Sequence, residues 1–385
     1  MPRRNDALDG LRALAALGVL TFHVWLYRVG DPPGPRRSVG DHLLFQGNLG
    51  LICFFVLSGY LLYRSFARAA LTGERADLGS YAKRRAARIV PAYYACVIGS
   101  LLLYAAVGYS DTLPPNGTLE SLPIFAVFGQ NYSMDTLMKI DPVMWTLCVE
   151  AAFYVLLPLL GLVAFLLGPR RVRSQAVALT VLVAVTAVWN QVVHANSLGP
   201  IASKSLVAYI GHFALGMLVA LWIERRRVVH GRDALFGPGA TAALMAAGVA
   251  VIAWNAYVYE AWDGGSFSRV VLAKLPTAVG FALVVAAAAG GRGPSVSWLR
   301  ARALVAIGIV SYGVYLWHLP LILVVRKLGL LPSALLPRFV VVLALALSVA
   351  ALSWRLLERP LIERAASTRR RRAAALRPAE AQAAP

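Results

Sequence analysis

"LDGLRALAALGVLTFH", residues 8–23, has the apolar filling of a membrane span yet carries Asp9, Arg12 and His23. A window of about 20 mainly apolar residues crosses a bilayer. Such windows recur along the 385 residues, of which 59% are hydrophobic and 15% charged. The chain is therefore read as an all-α polytopic membrane protein. Apolar runs between polar breaks give ten transmembrane helices, at 8–27, 43–62, 89–107, 143–167, 175–194, 205–222, 236–258, 270–290, 303–325 and 335–357. A weaker stretch at 119–132, broken by Pro123, is too short to cross and is read as a re-entrant or interfacial segment.

The net charge of +20 invites a nucleic-acid reading, but the positions of the basic residues favour topology. With the N-terminus inside, 26 of the 38 Lys and Arg fall on cytoplasmic segments and nine on the opposite side. This is the positive-inside asymmetry. It places both termini in the cytoplasm and leaves no need for a nucleic-acid partner. Letting 119–132 cross would move the basic loops at 168–174, 223–233 and 291–302 outside. Residues 1–362 are read as one membrane domain, and 363–385 as a basic, Ala-rich cytoplasmic tail, disordered by composition. Because LDGLR interrupts the first apolar run, no cleavable signal peptide is expected. Cys53, Cys96 and Cys148 lie in apolar stretches without paired spacing, so they read as buried free thiols, and no metal site is expected.

Eleven helical residues turn about 20° past three full turns, so Arg12 and His23 share one face, about 16 Å apart along the axis. Asp9 stands three residues before Arg12, where the two can pair locally. Ionisable groups inside a span face a bundle interior or a wet cavity. Glu150, in WTLCVEAAFY, and His318, in SYGVYLWHLP, fall at a depth similar to His23 on the outer side. Three titratable side chains from three spans point to a shared polar cavity. Ser311, Tyr315 and His318 line one stripe of their helix. Pro320 cannot bond the carbonyl of Leu316, which leaves an acceptor near His318. A structural role for His318, tying a kinked helix, stands beside the catalytic one.

A second charged site lies at the cytoplasmic end of the second span, FFVLSGYLLYRSFARAA. Arg64 and Arg68 stand one turn apart, where two guanidinium forks suit a phosphate or pyrophosphate. Ser58-Gly59 suits close backbone approach. The following loop adds Lys83, Arg84, Arg85 and Arg88, which also read as a topology anchor. Neither a phosphate-binding GxxxxGK[ST] loop nor a dinucleotide GxGxxG after a strand is present, which excludes a soluble-type nucleotide fold.

Taken together these motifs resemble the bacterial membrane acyltransferase 3 family. They are ALDGLRALAALGVLTFH, FFVLSGYLLYR, Arg64-x-x-x-Arg68, RRAARIVPAYY, WTLCVEAAFY and SYGVYLWHLPL, in order from residue 7 to about 321, with ERP at 358–360. The resemblance implies transfer of an acyl group, by default acetyl, from acyl-CoA to a hydroxyl of a glycan, a lipid-linked sugar or a secreted small molecule. It implies a multi-pass protein of the bacterial inner membrane. Arg12 with His23, and Arg64 with Arg68, carry over as functional positions, while Glu150 and His318 occupy matching motifs. Ala151 stands where many members carry a second acid, and the chain is expected to be the membrane module alone, without a hydrolase-like domain after the last span.

The expected site therefore has His23, Arg12, Glu150 and His318 as catalytic residues and Arg64, Arg68, Arg88 and Ser58 around the donor. His23 is the expected general base and Glu150 its orienting partner. Arg12 is expected to position the donor or stabilise developing charge. The pantetheine arm of acyl-CoA would run along the face from Arg12 to His23. A proton-coupled transporter or flippase of a polar substrate is the alternative, since intramembrane Arg, Glu and His also serve carriers. The sequence shows no two-fold repeat of the kind carriers use. A lipid-linked glycosyltransferase would need clustered acids that the outer layer lacks.

Overall fold

The structure is a computed structural model that describes residues 5–28, 38–168, 171–231, 235–261 and 274–365. Among these the regular elements are helices. α1 spans Asp6–Leu26, α2 Val39–Phe45, α3 Gly50–Thr72 and α4 Leu78–Val107. The short α5 is Thr118–Ala126, followed by α6, Trp145–Leu167, and α7, Val172–Ala195. After α8, Gly199–Ser203, come α9, Leu206–His230, and α10, Pro238–Ala261. The last group is α11, Leu275–Gly290, α12, Pro294–Ser297, α13, Arg302–Lys327, and α14, Leu335–Ser353.

Nine helices among the described residues are long and apolar enough to cross a bilayer. They coincide with nine of the ten expected spans. The expected eighth, 270–290, is seen as the 16-residue α11, which turns 100° into Pro294–Arg300. Residues 270–273 and the expected tail from 366 onward lie outside the described residues. The 119–132 stretch forms the nine-residue α5 with Pro123 inside it, then a 3-10 turn at Gln130–Tyr132. Gln130 and Asn131 are buried and donate to the carbonyls of Met144 (3.0 Å) and Trp145 (2.7 Å), fixing this segment against the start of α6.

Helix ends follow local chemistry. The side chain of Asn5 accepts from the amides of Ala7 and Leu8 and starts α1. Asp77 accepts from Ser80 N at 2.9 Å, so α4 begins eleven residues before the expected 89. The basic stretch 83–88 is therefore helical, not loop. Across the bundle, small residues set spacing. A Cβ on Gly216 would lie 2.0 Å from Val56 O, and one on Gly308 would lie 2.0 Å from Asp9 O. Glycine at these positions brings α9 against α3 and α13 against α1, as in membrane bundles where interfaces favour small side chains. The second contact matters most for the site, because it sets α1 and α13 side by side over their length.

The core is built mainly from α3, α9 and α11, with Phe55, Tyr60, Phe153 and Phe213 among its fully buried large side chains. The Phe153 and Phe213 rings stack at 4.1 Å between centroids. A second cluster joins α1 to α13 and α14 through Leu20, Val24, Leu319 and Val342.

Candidate active site

Two cavities lie end to end along α1. The first is lined by Arg12, Ser58, Arg85, Arg88, Glu150 and Ser311, among others. The second is lined by His23, Tyr27, Trp145, Asn255 and Lys274, among others. Leu51, Thr146 and Tyr315 border both. Arg12 and His23, on one face of α1, thus serve different cavities about 16 Å apart. Arg12 is too far from His23 to stabilise charge beside it.

The structure divides the three titratable groups expected in one cavity. His318, 1% exposed, meets His23: its Nε2 stands 3.1 Å from His23 Nδ1, and the ring centroids are 4.9 Å apart. Glu150 instead faces the first cavity, where its Oε1 accepts from Ser58 Oγ at 2.5 Å. Glu150 therefore does not orient His23. The expected shared cavity failed because depth in the membrane fixes a level, not a neighbour.

The tautomers of both imidazoles follow from their acceptors. His318 Nδ1 lies 3.1 Å from Val314 O, and His23 Nδ1 lies 2.9 Å from Val19 O. A carbonyl only accepts, so both Nδ1 atoms carry protons. His318 Nε2 then presents a lone pair, and the His23 Nδ1–H is shared between Val19 O and that lone pair. His23 Nε2 is left as a base on the wall of the second cavity. The carbonyl of Leu316, freed by Pro320, is not left to His318: Cys96 Sγ donates to it at 3.4 Å. Cys53, Cys96 and Cys148 are all buried and free.

The phosphate-type cations are also redistributed. Arg64 Nε donates to Glu224 Oε1 at 2.8 Å, and Arg227 Nη1 donates to the same oxygen at 2.9 Å. Glu224 is 2% exposed, so Arg64 takes part in a buried cluster joining α3 to α9. Arg68 is exposed and lines neither cavity. Arg88 and Ser58 do line the first cavity, and Arg85 joins them. Arg12 Nε donates to Ser311 Oγ at 3.4 Å, linking α1 to α13 there. No group of three or more His, Cys, Asp or Glu able to hold a metal occurs among the described residues.

Three further charged residues were given no site role by the sequence. Arg85 read as part of a loop, although the N-cap Asp77 placed it on a helix, three residues from Arg88. Arg338, one of the nine basic residues counted on the outer side, is 3% exposed, and its Nη1 donates to Val24 O at 3.3 Å, next in the chain to His23. Glu358 is buried by a π-helical turn, Trp354–Glu358, accepts from Ser353 Oγ at 3.4 Å, and feels the charges of Arg88 and Arg12. Such π turns gather at functional sites.

Comparison with known proteins agrees with this arrangement of motifs. The chain is 25% identical to the O-acetyltransferase OatA of Staphylococcus aureus, over 94% of this chain and 57% of that protein. It is 29% identical to Nodulation protein 10 of Rhizobium leguminosarum, over 93% of each. It is 24% identical to the putative peptidoglycan O-acetyltransferase YrhL of Bacillus subtilis, over 93% of this chain and 55% of that protein. The chain thus spans little more than half the length of OatA and YrhL. No solved structure matches it. The pattern of the acyltransferase domain matches residues 5–355, nearly the whole membrane bundle with both cavities, and the chain belongs to that acyltransferase family.

Proposed function

We propose that this protein is a multi-pass O-acetyltransferase of the bacterial cytoplasmic membrane. It moves an acetyl group from cytoplasmic acetyl-CoA to a hydroxyl of an envelope glycan or a related acceptor. Relatives named as O-acetyltransferases support the reaction class. The positive-inside charge bias supports the sidedness, because it puts the Arg85–Arg88 end of the bundle in the cytoplasm, where acyl-CoA is available.

The carrying observation is the place of His23 on the wall of the second cavity, with its Nδ1 2.9 Å from Val19 O and 3.1 Å from His318 Nε2, in the tautomer that leaves Nε2 as the base. In the reaction, His23 Nε2 takes the proton of the acceptor hydroxyl as its oxygen attacks the thioester carbon. A C–O bond forms, the C–S bond breaks, and the imidazolium returns the proton to the departing thiolate. A hydroxyl is a poor nucleophile near neutral pH, and a positioned base contributes about 10² to 10⁴ in rate. In the first cavity, Arg12, Arg85 and Arg88 supply positive charge for the polyanionic donor, and Glu150 with Ser58 faces the arm of the donor. The donor's acyl end then lies toward His23.

The test is transfer from acetyl-CoA in membranes carrying His23→Ala. Transfer should fall by about 10² or more while expression, insertion and acyl-CoA affinity persist. A folded His23→Ala protein with full activity would refute the base assignment.

A further inference from the structure

Thr146 and Tyr315 come from α6 and α13 and border both cavities. Thr146 Oγ1 and Tyr315 OH stand 2.8 Å apart, buried, on the border between the first cavity and the cavity of His23. We infer that the Thr146–Tyr315 pair is the aperture through which the thioester reaches His23, and that it selects acyl groups by width. This rests on the donor reading above.

Both hydroxyls have a second acceptor in reach besides each other. Val143 O lies 3.0 Å from Thr146 Oγ1 and 3.3 Å from Tyr315 OH. Val143 O also accepts from Trp145 N, so when the mutual bond breaks the two hydroxyls stay within reach of one shared acceptor. The ring of Tyr315 is held edge-to-face by Phe54, with centroids 5.8 Å apart. Leu51 completes the border. Opening therefore parts two hydroxyls between rigid helices and does not displace a loop. The gap must pass the planar thioester and the amides of the pantetheine arm. An acetyl group is no wider than those amides and passes, whereas an acyl group branched at its second carbon is wider and is held back.

The test needs no acceptor. Full-length protein in detergent or nanodiscs is treated with diethyl pyrocarbonate, and modification of His23 is read by peptide mass spectrometry with acetyl-CoA or isobutyryl-CoA present. An acyl group seated beside His23 shields it. Acetyl-CoA should slow modification at least about five-fold in the wild type, and isobutyryl-CoA less than about two-fold, although both bind. In Thr146→Ala, isobutyryl-CoA should shield as well as acetyl-CoA does. In Thr146→Leu, neither should shield, although acetyl-CoA still binds. Equal shielding by both donors in the wild type would overturn the aperture, as would shielding ratios unchanged in folded, donor-binding Thr146→Ala and Thr146→Leu. Wild-type protein that binds neither donor would instead overturn the donor reading, and the aperture with it.

Discussion

His318 Nε2 accepts the Nδ1 proton of His23 across 3.1 Å, while the Nδ1 of His318 is itself fixed to Val314 O. His318 is buried and lines neither cavity, so on the proposed function it acts through His23, as a positioning residue. It holds the His23 ring in one tautomer and one orientation, much as a buried carboxylate does in hydrolase triads. His318→Leu should lower kcat about ten-fold or more, with KM for acetyl-CoA little changed. His318→Gln, whose amide oxygen can accept the same proton, should recover part of the loss. Equal losses in both variants, or a loss confined to KM, would remove the positioning role.

The Arg64–Glu224–Arg227 cluster predicts a stability effect where the sequence suggested donor binding. Removing one partner of a buried ion pair leaves an uncompensated charge and costs on the order of 3 kcal/mol. Glu224→Ala should therefore lower the melting temperature of the purified protein strongly, since it removes the carboxylate that two guanidinium groups share. Arg64→Ala should lower it less, because Arg227 remains on Glu224. The double variant should be less destabilised than the sum of the two. Additive losses would mean that the pair is not coupled. An Arg64→Ala protein of unchanged stability but weakened acetyl-CoA affinity would favour the donor role over the structural one.

The contrast between Arg64 and His23 shows what the sequence could carry. Spans were legible because the hydrophobic window is local, and the shared face of Arg12 and His23 was legible because helical pitch is fixed. What a helix faces depends on its neighbours. Nothing near Arg64 in the chain announces Glu224, 160 residues away, and nothing near Glu150 announces Ser58. Arg85 and Arg88 were misplaced for a different reason. Polar residues at the start of α4 masked a helix that the capping side chain of Asp77 begins well before the apolar run.

Asp141, just before the first turn of the α6 span, gives a pH-dependent prediction. Its Oδ1 accepts from Val143 N at 3.3 Å, its Oδ2 is buried without a partner, and burial pushes its carboxyl well above the usual carboxylate range. Ionising it in the folded protein therefore costs free energy that the unfolded chain does not meet. The penalty is absent at low pH, where both states are protonated, and grows as pH rises toward the folded-state value. Asp141→Asn keeps a capping oxygen and removes the penalty. The gain in melting temperature over the wild type should increase from about pH 4 to about pH 8. A difference independent of pH would show that the carboxyl is not held neutral by its surroundings.

Arg85 and Arg88 stand three residues apart on α4, and both line the first cavity with Arg12. Two guanidinium groups on one helical face, at the end of the bundle opposite His23, match the charge of a coenzyme A phosphate. Charge-assisted hydrogen bonds of this kind contribute about 1.5–3 kcal/mol each, so Arg88→Ala should weaken acetyl-CoA binding about ten-fold or more. Because counter-ions screen such contacts, the wild-type affinity should fall as salt rises, and the variant should show a shallower dependence. Arg88→Lys keeps the charge but loses the planar fork, and should fall between the two. Arg68→Ala, on an exposed turn outside both cavities, should leave the affinity within about two-fold, as surface charges contribute little. The decisive comparison is Arg88→Ala against Arg68→Ala at one salt concentration. A larger loss in Arg68→Ala would move the phosphate site off the first cavity and back to the end of α3.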